Sequence, residues 1–103
     1  MLKFERKWLS YTPQAVYYIF NHDGKEEIVE LDIEARLLAG QLCVANSWND
    51  TEAEELVARE AIVENIIPVD DNGLKKKVRQ VHGHHPCIQN AFDARRAGRQ
   101  ITD

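Results

Sequence analysis

Leu2, Phe4 and Trp8 alternate with Lys3, Glu5 and Lys7, the period of two that turns apolar side chains to one face of a strand and charged ones to water. The pattern predicts a first strand over residues 2–9. Arg6 interrupts it on the apolar face, which fits an edge strand whose long side chain lies along the surface with its head in solvent. Thr12 and Pro13 supply a turn. Two runs rich in β-branched and aromatic residues, 15–21 and 26–31, then flank Asp23-Gly24, a pair that tolerates the positive φ of a tight hairpin turn. With a two-residue loop, Val16, Tyr18, Phe20, Val29 and Leu31 share one face, the expected core. Tyr17, Ile19, Ile28 and Glu30 share the other, which is either half exposed or receives a partner.

From Asp32 the period becomes helical. Over residues 33–48, Ile33, Leu37, Val44 and Trp48 form one apolar stripe and Leu38, Leu42 and Ala45 a second, so this helix is expected to pack on two elements, with Cys43 pointing away from both. Gly40 lies beside the first stripe, where it would let the sheet approach. Thr51 and Glu54 are spaced as a capping box, and a second helix over 51–67 presents Leu56, Ile62, Val63, Ile66 and Ile67 before Pro68 stops it. Asp70-Asp71-Asn72-Gly73 reads as a turn. Leu74, Val78 and Val81 recur at helical spacing and favour a short basic helix, with a strand over Lys77 to Val81 as the alternative. Pro86 suits a first helical position, Ile88, Ala91, Phe92 and Arg95 continue one face, and Gly98 offers a stop. The architecture expected is therefore α+β: a three-stranded antiparallel meander packed against two antiparallel helices, followed by a short basic helical C-terminal region. Residues 1–98 form a single domain and 99–103 fray.

Composition agrees: 103 residues with 44% hydrophobic and 29% charged suit one globular domain rather than a disordered chain. No run approaches the roughly 20 apolar residues of a membrane span, and Met1 to Trp8 does not build the apolar core of a signal peptide. Cys43 and Cys87, 44 positions apart, are not a disulfide framework. A cytoplasmic protein with reduced thiols and no membrane contact is the reading. The net charge of −4 is unevenly spread: residues 1–70 hold 6 Lys/Arg against 14 Asp/Glu, a balance of −8, and residues 71–103 hold 7 against 3, a balance of +4. An anionic partner would meet the C-terminal third, a cationic one the rest.

Three chemistries compete for the segment His82-Gly83-His84-His85-Pro86-Cys87. As a metal site, His82, His84, His85 and Cys87 are zinc-competent ligands, but a tetrahedral site usually draws two close pairs from distant parts of the chain and only one cluster is here. As a nucleophile, Cys87 in the first turn of a helix would gain thiolate character from free N–H groups and nearby imidazoles. As an anion site, the helix start would act with Lys75, Lys76, Lys77, Arg79, Arg95, Arg96 and Arg99 in binding nucleic acid, although only Phe92 among them could stack and its spacing assigns it to the core. The plain alternative is a Gly/His/Pro loop joining two helices, with imidazoles capping carbonyls or exposed to water.

No Gly-rich phosphate loop, serine elbow or paired-carboxylate motif stands out. With no complete catalytic constellation, polarised charge and an exposed sheet edge, the expectation is a small non-enzymatic protein that regulates or inhibits another protein by binding it, with Lys3, Glu5, Lys7, Tyr17 and Glu30 in the contact and no cofactor. Phages and mobile elements carry proteins of this kind, an analogy of size and charge. A homodimer through the same edge or the apolar faces is the other partner reading.

Overall fold

Asp23 and Gly24 both take positive φ, 54° and 86°, the conformation a two-residue hairpin turn requires. In the computed structural model, which describes residues 1–9, 14–70 and 77–101, this turn pairs β2 (Val16–His22) antiparallel to β3 (Lys25–Leu31), from His22 against Lys25 to Val16 against Leu31. β1 (Leu2–Leu9) runs antiparallel along the other side of β2. The chain continues through α1 (Ile33–Asn46), α2 (Asp50–Val63), β4 (Pro68–Asp70), β5 (Lys77–Val81) and α3 (Pro86–Arg96). The sheet order is β1-β2-β3-β5-β4, with β5 parallel to β3 and antiparallel to β4. The class is α+β, and the expected meander is its first half. The turns expected at Thr12-Pro13 and across residues 71–73 lie outside the described residues, as do Leu74, Lys75 and Lys76.

One face of the sheet is the core. Val16, Tyr18, Phe20, Val29, Leu31 and Val81 point inward and are fully buried with the inner faces of the three helices, as the hairpin's alternation predicts. Burial of each such side chain contributes about 1.5–3 kcal/mol. The helices pack on one another and on this face.

The structure corrects the pattern in several places. In β1 the register slips between Phe4 and Arg6, leaving Glu5 as an extra residue, and a bulge reverses which face every later side chain meets. Leu2 and Phe4 face inward as predicted, but Trp8 pairs with Tyr17 on the outer face, and Lys7 turns to the inner side, where its Nζ donates to Thr51 Oγ1 at 3.2 Å.

The favoured basic helix at Leu74 to Val81 is instead strand β5 from Lys77. Val78 and Val81 lie an odd number of positions apart and face opposite sides, and both are buried. A strand buried on both faces loses the alternation that would reveal it.

In α1 the expected stripes do not carry the core contact. Ala35, Ala39 and Cys43 form the buried line, while Leu38, Leu42 and the following Trp48 are only partly buried against it. Ile33, Leu37 and Val44 are exposed at 44%, 61% and 80%. Small residues win the inner position because α1 packs closely on α2, whose buried side is likewise rich in alanine: Ala53, Ala58 and Ala61, with Leu56, Val57 and Ile62. Interaxial distance is set by side-chain size at the contact, so a close pair selects alanine.

The capping box is also displaced. Asn49, not Thr51, caps α2, its Oδ1 accepting from Glu52 N at 2.8 Å, and Glu54 is turned into the core. Helix α2 ends at Val63, leaving Val63 and Ile67 exposed and Ile66 half-buried. Pro86 opens α3 as predicted and Gly98, at φ 79°, follows its end. Ile101 is buried in the core. No helix among the described residues is long and apolar enough to cross a membrane.

The rotation of α1 makes a sharp contrast. Ala39→Leu should destabilise the protein by about 1–3 kcal/mol through overpacking, whereas Leu37→Ala should change stability by about 0.5 kcal/mol or less as a surface replacement. Urea unfolding midpoints of the two variants measure this directly, and the opposite ranking would mean that the larger residue faces the core.

Candidate functional site

The histidine segment is a loop in which His82 and His85 have partners and Cys87 is buried. Gly83 lies against the first turn of α1, where an added Cβ would collide with Glu34 Cβ, so a glycine is required there. His82 is exposed and its Nδ1 lies 3.0 Å from Asp32 Oδ2, the same aspartate whose Oδ1 caps α1 by accepting from Ala35 N at 2.8 Å. His84 is exposed with φ at 67°. His85 is the N-cap of α3, with Nδ1 accepting from Cys87 N at 3.1 Å. Among the described residues, no three His, Cys, Asp or Glu side chains are grouped to hold a metal ion.

Cys87 has no exposed surface. Burial pushes its thiol up to about 12, and the carboxylates of Glu64 and Glu60 add to the effect. A helix N-terminus by itself favours a thiolate, but here desolvation and two nearby acids outweigh it. Cys87 and Cys43 are both free thiols in buried positions.

Among the described residues, the basic side chains fall into two separate groups. Lys75 and Lys76 lie outside the described residues. Lys77 is exposed, but Arg79, nine-tenths buried on the inner face, is ion-paired with Glu27. Arg95 pairs with Glu52 and its guanidinium lies 4.9 Å from the centre of the Trp48 ring, which stacks on Phe92. Arg96 pairs with Asp93, whose carboxyl is held below its usual range by hydrogen bonds from Gln89 and Arg96. Arg95 and Arg99 line a hollow beside Met1 and Ile101, whereas Lys77 and Arg79 line another beside Lys25 and Pro68.

One buried polar junction ties the sheet to the helices. Tyr18 Oη donates to Glu54 Oε1 at 2.9 Å, and Arg36 Nε donates to Glu54 Oε2 at 3.1 Å. Burial and the neighbouring Glu54 carboxylate push the Tyr18 hydroxyl far up, so its proton stays in place. This is a structural bond between β2, α2 and α1.

No described helix packs on the outer face of the sheet, where Trp8 and Val69 are exposed, Tyr17 and Ile28 half-buried, and Ile19 and Val78 buried. Lys3, Arg6 and Trp8 from β1, Tyr17 and Ile19 from β2, and Ile28 and Glu30 from β3 point to this side, as their register dictates. Val78 and Val69 extend it across β5 and β4. Trp8, 59% exposed, packs on Tyr17 with ring centroids 5.0 Å apart. Charges on this face are largely matched: Arg6 lies 3.6 Å from Glu26, and Glu30 Oε1 accepts from Gln80 Nε2 at 3.3 Å.

Of the contact residues read from the sequence, Lys3, Tyr17 and Glu30 share this face, Glu5 sits at the bulge with its carboxylate accepting from Arg6 Nη1 at 3.2 Å, and Lys7 points to the other side. Trp8, Val78 and Val69 belong to the face, and the alternation alone does not place them there. The one signal that could have revealed Trp8 is the consecutive pair Arg6-Lys7, which breaks the alternation where the bulge lies. Compared with protein-family models, curated proteins and solved structures, the chain matches none of them.

With a thiol pushed up to about 12, only about one Cys87 in ten thousand is thiolate at pH 8. Iodoacetamide should therefore leave Cys87 unmodified in the native protein and alkylate it on denaturation, as read by peptide mass mapping. Rapid native alkylation would show an accessible, activated thiol.

Proposed function

We propose that this is a small non-enzymatic interaction domain that regulates or inhibits another protein by docking the open outer face of its sheet on it. The observation that carries the reading is the exposed Trp8 ring packed on the half-buried Tyr17, on the same face as the half-buried Ile28. Tryptophan and tyrosine are the residue types that most often anchor protein interfaces, because each offers a large rigid apolar area with a polar tip. The partner that fits is a protein with an apolar centre and a rim of both charge signs, since Lys3 and Arg6 share this face with Glu26 and Glu30. The buried, free Cys43 and Cys87 suit action in the cytoplasm.

The geometry favours this over nucleic-acid binding. Three of the arginines that would contact phosphate already have carboxylate partners, and releasing them would forfeit those pairs before any counterion is displaced.

Affinity capture from extracts of the native cell, with wild type and the Trp8→Ala/Tyr17→Ala double variant side by side, tests the reading. A protein partner should be recovered by wild type and lost by the variant, with purified partner bound at least about 30-fold more weakly, as expected when an anchor worth about 2 kcal/mol is removed. A partner retained by the variant, or nucleic acid recovered in its place, contradicts it.

A further inference from the structure

Among the described residues, no contact within the chain calls for a glycine at position 40. It lies in the middle of α1, where glycine costs about 1 kcal/mol relative to alanine, and an added Cβ would meet no atom within 4 Å. Its backbone is ordinary helix, and the sheet does not approach it. Around it, Ile33, Leu37, Gly40 and Val44 follow one another at spacings of four, three and four, the a/d rhythm of a helix that packs on another helix. The three apolar members of that line are the exposed ones.

We infer that α1 is the contact surface of a homodimer, in which the α1 helices of two copies cross antiparallel about a two-fold axis close to Leu38 and Ala39. In that arrangement Leu37 of each copy meets Gly40 of the other, and Ile33 of each meets Val44 of the other. The line is thus its own complement, as a two-fold interface demands: a large side chain opposite the residue without one, twice. A parallel pairing would set leucine on leucine and glycine on glycine, and would leave Gly40 unexplained.

Charge agrees with the antiparallel choice. A groove of about 550 Å³ runs along this side of α1 and includes Arg36, Leu37, Gly40, Val44, Asp50 and Glu54. Arg36 is paired with Glu54, whereas Asp50 lies one turn earlier on α2, beside Cys43 and so at the Val44 end. Antiparallel crossing turns the Arg36 end of each copy toward the Asp50 end of the other. On the opposite flank, Gln41 of each faces the Glu34 end of its mate, an amide donor toward a carboxylate. Each copy carries a net charge of −4, so a face that opposes unlike groups is the one on which two copies can meet.

The contact is modest. A helix of 14 residues is about 21 Å long and cannot alone cover the roughly 800 Å² per partner of a standard interface. A dissociation constant on the order of micromolar is therefore expected. This surface is separate from the outer face of the sheet and does not depend on that face being a docking site.

Sedimentation velocity of the untagged chain from about 1 to about 200 µM tests the inference. The mass should rise from monomer toward dimer across that range. Leu37→Glu, which places a charge at the two-fold on a side chain that is exposed in the monomer, should weaken association at least about 30-fold with the monomer still folded. Val44→Lys should do the same and serves if Leu37→Glu disturbs folding. For the register, Leu37→Cys protein mixed with Gly40→Cys protein should form a mixed disulfide dimer on mild oxidation. A monomer at every concentration, a dimer indifferent to both charge variants but broken by Trp8→Ala, or disulfides confined to like positions would each overturn the proposal.

Discussion

The close approach of α1 to α2 is the constraint on which the rest of this protein depends. Alanine lines the inner edge of both helices, Ala35 and Ala39 on one and Ala53, Ala58 and Ala61 on the other, and the larger apolar side chains of α1 have no room between them. The same closeness lets Glu54 on α2 receive Arg36 from α1 while it accepts from Tyr18 in the sheet. A buried carboxylate held from two sides in this way is costly to disturb, since loss of either donor leaves a buried group unsatisfied at about 1–3 kcal/mol or more. Packing and polar satisfaction thus agree on a single rotation of α1.

That rotation, together with the bulge at Glu5, shapes the surface. The first sends Ile33, Leu37 and Val44 outward, and the second sends Trp8 outward beside Tyr17. At the same time the groups with overt chemistry are occupied. His85 caps a helix, His82 leans on Asp32, Cys87 is sealed, and Arg79, Arg95 and Arg96 hold carboxylates. Among the described residues, Trp8, Leu37 and Val44 are large apolar side chains left exposed by this arrangement.

The hairpin was fully legible because Asp23-Gly24 specifies its turn and strict alternation specifies its faces. The site was legible only in part. Tyr17 and Glu30 follow from the hairpin, but Trp8 depends on an extra residue in β1, whose one mark in the period of two is the consecutive pair Arg6-Lys7. Helix α1 misled for a different reason: hydrophobicity ranks leucine and isoleucine above alanine, whereas a tight helix contact ranks them by volume. Strand β5 was obscured because burial on both faces removes alternation, and i to i+4 spacing such as Leu74 to Val78 satisfies helix and strand alike. The histidines attracted attention as ligands, yet Gly83 beside them was the better guide, since it marks a backbone pressed against α1.

Hydroxyl-radical footprinting of the free protein at submicromolar concentration, read residue by residue by mass spectrometry, tests the orientation of α1 and of β1 together. Trp8, Leu37 and Val44 should label strongly, with Tyr18, Phe20 and Phe92 protected and Trp48 labelled more slowly than Trp8. Protection of Trp8 and Leu37 at that dilution would contradict this orientation, because both side chains would then belong to the core rather than to surfaces open to another protein.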